Sequence, residues 1–388
     1  MTARTLAQRR PNAAAFAGVF SSTLLCFLAV GAVLPVLPRY VVGPLGGSDL
    51  DAGIVTGAFA FAAVIGRPIG GRIADRRGRR VVVVAGLLLA AAAGVLYLVL
   101  PFGVLGLVLA RLVLGWGDGW VFTAGLAWTV DLAPEERRGR SIALYGLAVW
   151  GGLSLGPLLG EGLYAAWGYD AVWLFSAASP LAGALVARVV PDRRAPVVRD
   201  PDAERRPLLP RAAVRPGFAL FLANVGYATL AGFVVLHLEE QGSGGGAAVF
   251  TACAVTVVGA RLLLAWLPDR VGPRRTAIGC GVAQALGLAM IALAGGLPLA
   301  IAGAMVMGAG FSLSFPSLAM LVVDRVEEDE RGAAMGGFSS FFDVGVGVGA
   351  PAAGAISAVA GYPAAFAVAA GLAAAGAVVA ATTARPAA

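Results

Sequence analysis

A membrane-embedded bundle of α-helices is the fold class this sequence predicts, on three observations. Of its 388 residues, 59% are hydrophobic and only 13% are charged, against roughly 45–50% and 25% in an ordinary soluble domain. The apolar residues gather into twelve runs of about 20 residues, the length an α-helix needs to cross a bilayer. All 29 basic residues are arginine, and they collect in the connections on one side. A net charge of +7 would otherwise suggest nucleic acid, but such binding needs basic clusters on a soluble body. The apolar runs leave no such body. The expected class is therefore an all-α polytopic membrane protein, with the lipid bilayer and not nucleic acid as its partner.

The runs follow in order. Ala14–Leu37 is too long for the apolar core of a signal peptide and has no convincing cleavage site behind it, so it reads as a helix. Ala52–Gly71, Val81–Leu100, Val104–Val130, Ser141–Ala165 and Ala171–Val190 complete a first set of six. The longest break, Pro191–Arg215, is rich in Pro, Arg and Asp and reads as a solvated linker. Gly217–Leu238, Gly246–Trp266, Thr276–Gly295, Pro298–Val323, Ala333–Ala358 and Pro363–Thr383 form a second six. Twelve spans consume roughly 240 residues, which leaves no room for a folded extramembrane domain. The expected organisation is an N-terminal bundle over residues 1–190, a linker over 191–215 and a C-terminal bundle over 216–388.

Arginine-bearing loops resist translocation, so their positions orient the chain. One side holds Arg76, Arg77, Arg79 and Arg80, then Arg137, Arg138 and Arg140, the seven arginines from Arg193 to Arg215, and Arg270, Arg274, Arg275, Arg325 and Arg331. The amino-terminal tail adds Arg4, Arg9 and Arg10, while the opposite loops contain only Arg39. Both termini and the linker are expected in the cytoplasm of a cell membrane.

Charged loops also expose a repeat. Shifting the chain by 194 places Asp75 on Asp269, Arg76 on Arg270, Gly78 on Gly272, Arg80 on Arg274, and intramembrane Arg67 on Arg261. A shift of 193 matches Asp131 with Asp324, Glu135 with Glu328, Arg138 with Arg331 and Gly139 with Gly332. Two separate matches at nearly equal offsets indicate two homologous six-helix halves in parallel orientation.

At these residues the chain resembles the major facilitator superfamily over essentially its whole length. Asp75-Arg76-x-Gly78-Arg79-Arg80 is similar to the superfamily's signature between spans two and three, and Asp269 to Arg275 to its weaker second copy, in which Ala265 replaces a leading glycine. Arg111-x-x-x-Gly115-x-x-x-Gly119 in span four is similar to a second signature. Gly152-x-x-x-Gly156-Pro157-x-x-Gly160 in span five is similar to the element of proton-coupled exporters, with Glu161 where that element usually has another glycine. The resemblance implies twelve helices in two bundles, alternating access, and a monomer. It also implies that Asp75, Arg76, Gly78, Arg79, Arg80, Asp269 and Arg270 brace the outward-facing state by contacting the other bundle. Read physically, arginines hold the turn in the cytoplasm, and an Asp there can cap a helix or face a helix N-terminus. The glycines at 152, 156 and 160 share one helix face and permit close packing in lipid, with a bend at Pro157.

Charges within the membrane are costly and mark functional candidates. Arg67 and Arg261 obey the repeat, so a shared scaffold role is the economical reading. Asp118 falls opposite Phe311, and Asp343 opposite Trp150, so both break the symmetry. Arg111, Gly115 and Asp118 share a face, with Arg111 on the order of 10 Å from Asp118. Asp118 is therefore either the principal proton-binding carboxylate, tuned by Arg111, or half of a static Arg111–Asp118 pair. Given the superfamily arrangement, Arg67 and Asp343 are expected to form an ion pair between the bundles. Glu161, near the outer end of its span, can reach interfacial water.

Ser22, Trp120, Asn224, Tyr227, Phe311, Ser314 and Phe315 are the expected cavity lining, by the same resemblance, for an amphipathic small-molecule substrate. His237 with Glu239 and Glu240 reads as a wet helix terminus. Cys26, Cys253 and Cys280 read as small packing residues. No metal spacing, cofactor motif or catalytic constellation is present, so neither an enzyme nor a metal site is expected. The expected function is export of a drug, sugar or metabolite in exchange for protons, with proton-coupled import on the same scaffold as the alternative.

Overall fold

The computed structural model describes residues 13–99, 103–133, 138–192, 210–326 and 331–383, and no strand occurs among them. The helices are α1 Ala13–Val33, α2 Val36–Val42, α3 Asp49–Arg77, α4 Arg79–Val99, α5 Gly103–Leu132, α6 Arg138–Trp167 and α7 Tyr169–Val189. The second half contributes α8 Arg211–Glu240, α9 Gly246–Leu264, α10 Leu267–Val271, α11 Pro273–Ala292, α12 Leu297–Val323 and α13 Arg331–Thr382. Three boundaries depart from the simple run pattern. The first span continues past a break at Pro35 into α2, which places Arg39 on a helix. The second starts at a capping box, in which Ser48 Oγ accepts from the Asp51 amide and the Asp51 carboxylate accepts from the Ser48 amide. The last two runs join in α13, divided by Gly361 at φ 80° with Pro363 two residues on. Counting α1 with α2 as one crossing, α9 with α10 as one, and the two arms of α13 as two, the described helices make twelve crossings.

These crossings form two bundles of six. In the first, α1 packs on α6 and α7, α3 on α5, and α4 on α5 and α7. In the second, α8 packs on α13, and α12 packs on α9 and α11. The bundles meet where α3 lies along α13 and α6 along α9. Under the repeat these two junctions exchange, so the halves face one another about a pseudo-twofold axis. The outer surface is apolar, with Leu105, Val189 and Leu293 among the large exposed side chains, as a surface solvated by lipid tails requires.

The face bearing Arg76, Arg77, Arg270 and Arg274 is called the arginine-rich face, and the other the arginine-poor face. Gly78 and Gly272 show the repeat in backbone form: φ is 101° at one and 96° at the other. That conformation is open to glycine and strained for other residues, so each loop reverses direction at the same position.

Candidate functional site

Glycine faces set the helix packing within each half and between the halves. Gly152, Gly156 and Gly160 of α6 lie directly on α1: a side-chain carbon at Gly156 would stand 2.7 Å from Gly31 Cα and from the Leu28 carbonyl, and one at Gly160 would collide with the Ala32 carbonyl. Gly345 and Gly349 of α13 meet Phe221, Asn224 and Val225 of α8 in the equivalent way. The small face of α6 thus serves packing within its own half, and Pro157 lies against Gly31. Between the halves, Gly53 and Gly57 of α3 fit against Ala350, Gly347 and Pro351 of α13. This contact occupies the arginine-poor half of the membrane.

At mid-depth on the same α3–α13 seam, Arg67 Nη2 donates to Asp343 Oδ1 at 2.9 Å and lies 3.8 Å from Asp118 Oδ2. One guanidinium therefore stands between two buried carboxylates, Asp118 from its own half and Asp343 from the other. Its plane lies over the Phe122 ring, 4.4 Å from the centroid, a stabilising placement for a desolvated cation. Asp118 Oδ1, Asp343 Oδ2 and Arg67 Nε are buried without hydrogen-bond partners. The pairing of Arg67 with Asp343 matches the sequence expectation.

Arg111 does not. Instead of approaching Asp118 within ion-pair distance, it turns to α3, donating to the Val55 carbonyl at 3.2 Å and the Thr56 carbonyl at 2.9 Å, over the Phe59 ring. A guanidinium carries five donors, and the carbonyls beside it are nearer than the carboxylate two turns away. The static Arg111–Asp118 pair is thereby corrected: Arg111 ties α5 to α3.

Beside the triad lies an aromatic wall. Tyr227 of α8 stacks on Phe311 of α12 at 4.8 Å, and Trp150 of α6 meets Phe311 edge-on at 5.4 Å. Phe342 of α13 closes the group, 6.2 Å from Trp150 and 6.3 Å from Phe311. Arg261 lies over Trp150, 5.3 Å from its centroid, and donates to the Ser312 carbonyl at 2.8 Å. Of the expected lining residues, Tyr227 and Phe311 belong to this wall. Trp150, Phe342, Phe122 and Phe59 were missed as site residues, although the repeat had already set Trp150 against Asp343.

The other expected lining residues are engaged elsewhere. Ser22 is fully buried and donates within its own helix to the Gly18 and Val19 carbonyls. Trp120 is wedged against Gly70 and Gly86 inside the first half. Asn224 is buried and donates to the Leu220 carbonyl. Ser314 accepts from Gln284 inside the second half, and Phe315 packs on Phe338. Helix membership alone does not say which side of a helix faces the central seam.

Toward the arginine-poor face, Arg39 lies 2.7 Å from Glu239 of the second half and 3.2 Å from Glu161 of the first. Glu161, read from the sequence as a group reaching interfacial water, is held in this ion bridge because the break at Pro35 brings α2 over the end of α6. Tyr362 donates to Asp49 at 2.8 Å as a second link across the halves. His237 is likewise not wet: it is fully buried, with Nε2 3.2 Å from the Ile291 carbonyl.

On the arginine-rich face, Arg79 pairs with Asp131 at 3.1 Å, within its own half. Gly78 makes the turn described above. Arg76, Arg80, Asp269 and Arg270 are exposed there, Arg270 over the Trp266 ring. The Asp75 side chain and most of the linker lie outside the described residues. The described contact of Arg79 is with its own bundle, where the resemblance implied contact with the opposite one.

A two-bundle membrane fold with buried charges on the seam between its halves defines a class, the membrane transporters built on an internal repeat. The Major Facilitator Superfamily family model matches residues 19–297 and 217–388, and the chain belongs to this superfamily. An uncharacterised MFS-type transporter of Salmonella typhimurium is 34% identical over 370 residues, covering 93% of this chain and 94% of that one. The Escherichia coli MFS-type transporter YhhS is 33% identical over 357 residues, covering 89% and 86%. Among solved structures, a mutant of the nucleoside transporter NupG aligns with TM-score 0.79 at 14% identity, over 95% of this chain and 99% of that one. The human organic anion transporter MFSD10 aligns at 0.71 and 18% identity, over 96% and 100%. These likenesses, low in identity, are likenesses of fold. The protein is a multi-pass membrane transporter and not an enzyme.

Proposed function

We propose that this protein exports a small organic solute across the cell membrane in exchange for protons, by alternating access between its two halves. The observation that carries this reading is Arg67 standing between Asp118 and Asp343. With a proton on Asp118, the whole guanidinium charge serves Asp343, and the halves are tied at mid-membrane. With Asp118 ionised, both carboxylates compete for one cation and the tie loosens. Charge state on one half thus controls a bond to the other, as coupling requires.

In this reading the arginine-rich face is cytoplasmic, following the loop charges. Residues 191–215 tether two domains, 1–190 and 216–388, and the molecule works as a monomer. The contacts at Gly53, Gly57, Arg39 and Asp49 then represent closure on the outer side. The export direction rests on the Gly152, Gly156, Pro157 and Gly160 face of α6, which resembles that of proton-coupled exporters. Import by symport is the second reading, favoured by Glu161 standing in place of a further glycine in that element.

Inside-out vesicles with an imposed acid interior separate the two. Gradient-driven accumulation of substrate supports export, and gradient-driven efflux of preloaded substrate supports import. Asp118→Asn should abolish the dependence on the gradient; full gradient-driven transport by this variant would overturn the proton role.

A further inference from the structure

The repeat that relates Arg67 to Arg261 also relates Asp118 to Phe311 and Trp150 to Asp343. The structure turns this arithmetic into an arrangement. Around Arg67 stand the carboxylates of Asp118 and Asp343. Around Arg261 the same positions of the pseudo-symmetric frame hold two aromatic rings, Trp150 under the guanidinium and Phe311 against Trp150. Among the described residues, no carboxylate stands within ion-pair distance of Arg261; its polar contact is one backbone carbonyl, that of Ser312. Of the three guanidiniums on the seam and behind it, only Arg67 stands against carboxylates, while Arg111 and Arg261 donate to backbone carbonyls. A cation in low dielectric with its counter-charge removed calls for an anion from outside the chain.

We propose that Arg261 is the anchor for the substrate's charge. The transported solute is a small organic monoanion with a flat apolar body, its carboxylate on the Arg261 guanidinium and its body against Trp150 and Phe311. A guanidinium fork suits a carboxylate, and ring faces suit a planar body. Trp150 comes from the first half and Arg261 and Phe311 from the second, so a bound anion touches both halves and senses their rearrangement. The inference rests on the transport reading above, but not on proton coupling.

The test is equilibrium binding to the purified full chain, without any gradient, so that a failure of proton coupling is read separately. The probes are 2-naphthoate, its neutral methyl ester, and acetate. The expected result is saturable binding of 2-naphthoate, with the ester and acetate each at least about tenfold weaker. Arg261→Gln should weaken 2-naphthoate by about 10- to 100-fold, and Arg261→Lys should recover part of the loss. Trp150→Ala should weaken 2-naphthoate and leave the weak affinity for acetate as it was. Equal binding of acid and ester by the unaltered protein, no saturable binding of 2-naphthoate, or unchanged binding in a folded Arg261→Gln variant would each overturn the proposal. The comparison of acid with ester needs no variant and stands if a substituted chain fails to fold. A protein that binds 2-naphthoate but moves it indifferently to pH would sink the antiport reading alone.

Discussion

Arg67 is the residue at which the two halves communicate, because one cation serves two buried acids. Deleting Arg67 leaves two buried carboxylates without a counter-charge, a cost of about 3–5 kcal/mol, and deleting Asp343 leaves Arg67 with Asp118 alone and cuts the tie between the halves. Arg67→Asp and Asp343→Arg should therefore each remove most gradient-driven transport, and the double exchange should restore a measurable part in reconstituted vesicles. Single variants with unimpaired transport would show that the contact is incidental. The Arg39 bridge is a different kind of contact. Its Glu239 side chain is 41% exposed, and exposed pairs contribute about 0–1 kcal/mol. The buried pair is suited to hold a state, and the exposed one to bias it.

Among the elements, α6 touches both its own half and the other. Its glycine face lies on α1, while Trp150 and Ser154 reach α9 and α12 of the other half, Ser154 donating to the Ala254 carbonyl at 3.2 Å. Close approach of α6 and α1 lets Trp150 reach across the seam. Gly156→Leu places a branched side chain against Gly31 Cα and the Leu28 carbonyl, and overpacking of this kind costs about 1–3 kcal/mol. The expected outcome is a lower melting temperature in detergent together with impaired transport. A variant of unchanged stability would mean that α1 and α6 separate freely. The glycine pattern of α6 was legible in the sequence because small residues at every fourth position share a face whatever lies opposite. Its partner was not, since the pattern carries no record of which helix approaches.

At the scale of the molecule, contacts across the halves run from mid-membrane, at Arg67–Asp343, to the arginine-poor face, at Arg39–Glu239 and Tyr362–Asp49. The halves are thus joined along that portion of the seam. Arg39→Gln removes the link to both Glu161 and Glu239, and about 1 kcal/mol lost corresponds to a roughly fivefold change in the ratio of closed to open molecules. Spin labels on α2 and α8 should report a larger population at long distance on the arginine-poor face. An unchanged distance distribution would assign closure to the α3–α13 packing alone.

Length, hydropathy and loop charge in the sequence by themselves determined the twelve crossings, because bilayer thickness and loop charge act on stretches of chain regardless of tertiary contacts, while matched loop motifs carried the parallel repeat and the resemblance to the superfamily. The repeat also picked out Asp118 and Asp343 as departures from symmetry, and the distance arithmetic along one helix then misled at Arg111. A guanidinium's partner is the nearest acceptor in space, and the nearest ones to Arg111 are carbonyls of α3. Only the tertiary structure decided that Arg67 is shared by two acids, that Glu161 is held by Arg39, and that Arg261 faces rings where its repeat partner faces carboxylates. Each of these depends on helices brought together from distant parts of the chain, and on the side each helix turns toward the seam, which neither composition nor periodicity specifies.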